Sequence, residues 1–121
     1  MDTKTIIEQI WPKVWPLIQS AVVLENESDI VEDLITERRF LLVIGEGIAI
    51  IRPCQDFLEI NYVGGKNAKK WWGAMSANIE IIARTLGCRK IVAYGRDAWQ
   101  RLAPDFTPTD TRMYVKEISH G

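Results

Sequence analysis

Seven consecutive residues, Gly64-Gly65-Lys66-Asn67-Ala68-Lys69-Lys70, combine the residue types that bind anions. A glycine pair lets the backbone turn sharply and approach a ligand with no Cβ in the way. Asn67 is a suitable N-cap, and the amides that follow it point along the helix axis toward whatever occupies the turn. Three lysines there oppose the positive end of the helix dipole, by about 0.3–1 kcal/mol each at low salt. A bound anion offsets that mismatch, so the turn reads as a phosphate site. The alternative is that the long lysine side chains simply splay into water. A second chemical candidate is Glu59, on an alternating run in which Leu58 and Ile60 face the other way. Its carboxylate points either into a cleft or into solvent.

These groups need a scaffold. Phe57 to Val63 alternates as a strand leading into the turn. From 67 to 86 runs the most regular amphipathic helix, with Trp72, Met75, Ile79, Ile82 and Leu86 as its apolar stripe, Ala68 extending it, and Gly87 as its stop. Upstream, Phe40–Ile44 and Ile48–Ile51 are β-rich runs joined by Gly45-Glu46-Gly47, a hairpin signal. Residues 3 to 24 have helical spacing, with a break or kink expected near Trp11 because Pro12 and Pro16 interrupt it. The rings of Trp11 and Trp15 are expected to cover the core edge. Ser28-Asp29 starts a second helix, capped by one of those two residues, with Ile30, Val31, Leu34 and Ile35 inside and Glu27, Glu32, Asp33 and Glu37 outside.

Downstream, Lys90–Tyr94 is a short strand. Strand, helix and strand with short turns make a right-handed crossover, which sets this strand parallel to the one ending at Val63. A short helix is expected from Asp97 to Leu102, ended by Pro104, and a last strand from Arg112 to Ile118. The order is αα-βββ-αβ-αβ in one domain spanning 1–121. The fold class is mixed α/β (α+β), with a mostly antiparallel sheet flanked by helices.

Composition narrows the functions. A chain of 121 residues with 47% hydrophobic and 26% charged residues is an ordinary globular domain. Its formal charge of −1 argues against coating nucleic acid. No apolar run is long enough for a membrane span, and the start lacks a secretory layout, so a cytoplasmic protein is expected. Cys54 and Cys88 match no zinc or redox spacing and read as reduced thiols. The single histidine, His120, has no partner for a metal site, and no metal is expected. Gly64-Gly65 fits neither the dinucleotide nor the kinase-type phosphate fingerprint.

The element order, with an anion-type turn between the third strand and its helix, resembles the GCN5-related N-acetyltransferase fold. The family usually has a further strand before the first helix, and none is evident here. The resemblance implies that the turn holds the pyrophosphate of acetyl-coenzyme A through backbone amides. The cofactor-binding residues would then be Gly64, Gly65, Lys66, Asn67, Ala68, Lys69 and Lys70, with the Val63 backbone at the acyl carbonyl. It also implies Glu59 as the base that takes the amine proton through water. The turn survives but the family's glycine spacing does not, and Lys69 and Lys70 stand where small residues give phosphates room. The family's general-acid tyrosine has no counterpart in Trp99-Gln100-Arg101-Leu102-Ala103-Pro104-Asp105-Phe106, and Tyr94 and Tyr62 read as strand packing residues.

Two functions follow from the resemblance. One is an acyl-coenzyme A-dependent N-acetyltransferase acting on an amine of a protein or small molecule. The other is a non-catalytic domain of the same fold working through protein contacts. For the latter, Gly95-Arg96-Asp97-Ala98-Trp99-Gln100-Arg101-Leu102 resembles compact acetyltransferase-like proteins of phage and prophage genomes, with assembly or host interference as the implied role in the host cytoplasm. Five tryptophans suit a binding surface. Trp71, beside the apolar stripe, either widens it or anchors a protein partner, and Trp99 has the same two readings.

Overall fold

The structure is a computed structural model, and it describes residues 2–94, 102–108 and 113–119. Helix α1 (Thr3–Ile18) begins at Asp2, whose carboxylate accepts from the Thr5 amide at 2.8 Å. It buries Ile7, Trp11, Val14 and Ile18, spaced four, three and four apart, and a 3₁₀ turn over Gln19–Ala21 follows. Of the break or kink expected near Trp11, the break does not occur: the helix is continuous through both prolines. Pro12 and Pro16 are both exposed and four residues apart, so the bonds they cannot donate are missing on the wet face of the helix. Trp11 and Trp15 stack at 5.9 Å along the core edge, and the Trp11 indole donates to Glu27 at 2.8 Å. Helix α2 (Glu27–Ile35) starts one residue before the expected place. Asn26 is at its cap position without a side-chain bond, and neither Ser28 nor Asp29 caps it.

Six strands follow: β1 (Phe40–Ile44), β2 (Gly47–Pro53), β3 (Phe57–Gly65), β4 (Lys90–Tyr94), β5 (Thr107–Pro108) and β6 (Met113–Glu117). They form one sheet in the order β1-β2-β3-β4-β6-β5. Only β3 and β4 are parallel, as the crossover through helix α3 (Ala68–Thr85) requires. The β1–β2 hairpin closes on Gly45, at φ +57, and Ile44 pairs with Gly47. The two-residue β5 was not evident from the sequence.

Each face of the sheet has its own core. Trp71, Trp72, Met75, Ile79 and Ala83 of α3 pack on Ala49, Ile51, Leu58, Ile60, Ile91 and Ala93. On the opposite face α1 and α2 cover Ile48, Ile50 and the ring of Tyr62. The stripe of α3 is therefore one position wider than its sequence spacing suggests, with Trp71 inside, while Leu86 is exposed.

Candidate functional site

Two irregularities of β3 shape the centre of the molecule. Ile50 pairs with Tyr62 but Ile51 pairs with Ile60, so Asn61 is an extra residue that bends the strand. Among the described residues, pairing with β4 runs from Phe57↔Lys90 to Ile60↔Ala93. Beyond that point Asn61–Gly65 continues without β4, which ends at Tyr94. Among the described residues the two strand ends form a fork in which β3 is the longer prong, and the turn into α3 lies on that prong.

The expected anion turn is there, with three differences. Asn67 occupies the cap position in the left-handed region, at φ 58, but its side chain makes no cap bond; Nδ2 donates to Glu46 at 3.1 Å. The Lys70 amide is already bonded to the Asn67 carbonyl at 2.8 Å. Among the described residues the amides of Lys66, Asn67, Ala68 and Lys69 have no protein acceptor. The glycines serve the chain itself. A Cβ on Gly64 would stand 2.2 Å from the Leu17 carbonyl oxygen of α1, and one on Gly65 would stand 2.2 Å from that of Glu46. Their smallness admits α1 and the β1–β2 hairpin and opens no pocket for a ligand. Lys66, Lys69 and Lys70 are exposed, as the splayed-lysine alternative has it, and Val63 and Ala68 are half-buried.

Trp71 locks this arrangement. Its indole nitrogen donates to the Lys66 carbonyl at 2.7 Å, and its ring lies where a Cβ on Gly47 would fall, 2.1 Å away. At 4% exposure it is no anchor for a partner, because α3 turns it onto the hairpin. Trp99, the short helix expected from Asp97 and His120 lie outside the described residues.

Glu59 is not a solvent-facing strand residue: it is 5% exposed. Its Oε1 accepts from Arg52 Nη2 at 2.9 Å and from Asn61 Nδ2, whereas Oε2 accepts nothing among the described residues. Arg52 is its register partner across β2–β3. The bulge lets Asn61 reach the same carboxylate, and the Oδ1 of Asn61 is buried without a donor. Tyr94 ends β4 at the fork and is 52% exposed, so it is not the packing residue its strand position suggests. Partial burial, then the nearby Glu59 charge, raise its phenol pKa and keep the proton on it. Tyr62, one residue past Asn61, does pack, as expected. Burial, then Glu25, raise its pKa beside the Arg39 cluster.

Of the residues around Glu59, the sequence did not single out Arg52 or Asn61, and it read Tyr94 as a packing residue. Cross-strand pairing was the available signal for Arg52, but a one-residue bulge shifts the register and is invisible in an alternating pattern. A depression of about 460 Å³ among Asp56, Phe57, Arg89, Lys90 and Glu117 lies at the opposite end of β3 and β4. Its exposed Arg89–Asp56 pair converges on nothing. No helix among the described residues is long and apolar enough to cross a membrane.

The chain matches no protein-family model and no curated protein sequence. It is similar in structure to the crystal structure of Tetrahymena GCN5, at 12% identity and a TM-score of 0.56. The alignment covers 98% of this chain and 85% of that one. The likeness shows the fold: this chain has a GCN5-related N-acetyltransferase-like architecture, with mixed helices and a mostly antiparallel sheet.

Proposed function

We propose that the protein binds an acyl-coenzyme A at the fork and transfers the acyl group to an amine. The observation that carries this reading is the run of β3 from Asn61 to Gly65 past its last described pair with β4, ending in a turn with four unbonded amides. The donor set fits a diphosphate. Amides of Lys66, Asn67, Ala68 and Lys69 lie at the positive end of an 18-residue helix, flanked by three exposed ammonium groups. When bound there, the cofactor supplies an activated thioester.

The chain's own groups provide the proton handling. Glu59 takes a proton from the attacking amine, directly or through one water, while Arg52 and Asn61 hold Oε1 and leave Oε2 to receive it. Tyr94, protonated and at the fork, is the donor to the departing thiolate, a role the sequence left without a candidate. The Val63 backbone, on the part of β3 that runs past β4, would meet the acyl carbonyl.

Titration with coenzyme A by calorimetry tests the reading. Micromolar binding that is lost in Lys66→Glu/Lys69→Glu supports it. In an acetyl transfer assay Glu59→Gln then lowers the rate by about tenfold or more, and Tyr94→Phe lowers it less. A second reading has its own observation: Gly64 and Gly65 are filled by Leu17 and Glu46. In that case the turn is structural, the domain is non-catalytic, and coenzyme A at millimolar concentration leaves the melting temperature unchanged.

A further inference from the structure

Strand β1 is one edge of the sheet, and Phe40-Leu41-Leu42-Val43-Ile44 carries none of the charges or prolines that usually blunt an edge. Phe40 is 40% and Val43 58% exposed. In the two-residue hairpin the closing pair Ile44↔Gly47 exchanges backbone bonds, as do its alternates Leu42↔Ala49 and Phe40↔Ile51. The N–H and C=O groups of Leu41 and Val43 therefore point away from β2, toward open space. We infer that this edge pairs with β1 of a second copy of the chain, antiparallel about a two-fold axis at Leu42.

The register follows from the residues. Bonding across an antiparallel edge must match outward-facing residues, and centring on Leu42 sets Leu41 against Val43 of the other copy twice over. Phe40 then meets Ile44 and Leu42 meets its own equivalent, on the face where Leu42 and Ile44 already touch the α3 core. Exposed Val43 is covered by Leu41, which belongs to the core under α1 and α2. The ends are complementary too. Arg38, two residues before the strand, is set beside Glu46, two residues after it, and both are exposed. Shifting the axis to Leu41 or Val43 keeps the backbone bonds but separates these charges. The pair would form one continuous sheet, leaving the fork of each copy open on the far side of β3. The inference does not depend on what the fork binds.

Sedimentation equilibrium of the full chain tests it, with a mass about twice the 13.8 kDa of the chain expected at micromolar concentration. Val43→Pro removes an outward N–H that β2 does not use, which an edge tolerates, and it should raise the dimer dissociation constant about tenfold or more. Arg38→Glu should weaken the dimer through like charges, and Arg38→Glu/Glu46→Arg should restore it, independently of whether the proline variant folds. A 13.8 kDa monomer at hundreds of micromolar overturns the inference and leaves the edge to a different chain. So does a dimer that neither Val43→Pro nor the charge reversal weakens.

Discussion

Replacing Gly64 by alanine tests directly whether the glycine turn is built for the chain or for a ligand. The added Cβ would lie 2.2 Å from the Leu17 carbonyl oxygen, 2.9 Å from its carbon and 3.1 Å from Ile18 Cγ2. Ordinary contact requires about 3.5 Å, so α1 must retreat by more than about 1 Å at its C-terminal end. Two of the three atoms are backbone, and no side-chain rotation relieves them. Ile18 and Val14 would lift from Ile48 and Ile50 together with the helix. Overpacking of this kind costs about 1–3 kcal/mol, and a backbone clash falls at the upper end. For a domain of this size about 3 kcal/mol corresponds to a fall in melting temperature of about 10 °C. Gly65→Ala should cost at least as much, since φ +129 adds backbone strain to its clash with Glu46. Gly73→Ala is the control: its Cβ meets nothing within 4 Å on the exposed side of α3, so alanine should stabilise by about 0.5–1 kcal/mol. Urea denaturation of the three variants measures all of this. Wild-type stability in Gly64→Ala would refute the packing argument and return the glycines to a ligand-clearance role.

Arg39 is 7% exposed and forms ion pairs with Asp33 at 2.9 Å and Glu25 at 2.8 Å, so Arg39→Met should strand two half-buried carboxylates and cost about 3 kcal/mol by urea denaturation. Alkaline stability has a defined sign. The pKa values of Cys88, Tyr62 and Tyr94 are raised mainly by burial above the ordinary values of 9.0, 10.0 and 10.0. Burial opposes the charge on Lys116, but hydrogen bonds to Asp105 and Glu80 outweigh it and raise the pKa above 10.5. A raised folded-state pKa contributes stability that is complete below the unfolded value and lost as pH rises through the folded one. Melting temperature should therefore fall steadily above about pH 9, and Lys116→Met should narrow its gap to wild type above about pH 10.5.

Hydrophobic period and glycine punctuation were enough to specify α1, α2 and α3, the hairpin, β3, β4 and the parallel crossover. Those patterns are local consequences of one buried face per element, and a chain carries them in its own order. The break expected in α1 shows the limit of a local rule: a proline's effect depends on whether its missing bond faces water, which only packing decides. The candidate site follows the same division. Glu59 and the lysine-rich turn were legible because their residue types stand out. Their surroundings were not, since the bulge at Asn61, the Arg52 bond, the exposure of Tyr94 at the fork and the filling of the glycine turn by Leu17 and Glu46 all join segments distant in sequence. Trp71 makes the point most compactly, because helical spacing placed it at the margin of a stripe and the hairpin's Gly47 made that margin an interior. The sequence carried the three α-helices and the four strands through Tyr94, and which residues are charged; what each of those residues faces came from the tertiary structure, because contact between remote segments is a property of the packed whole.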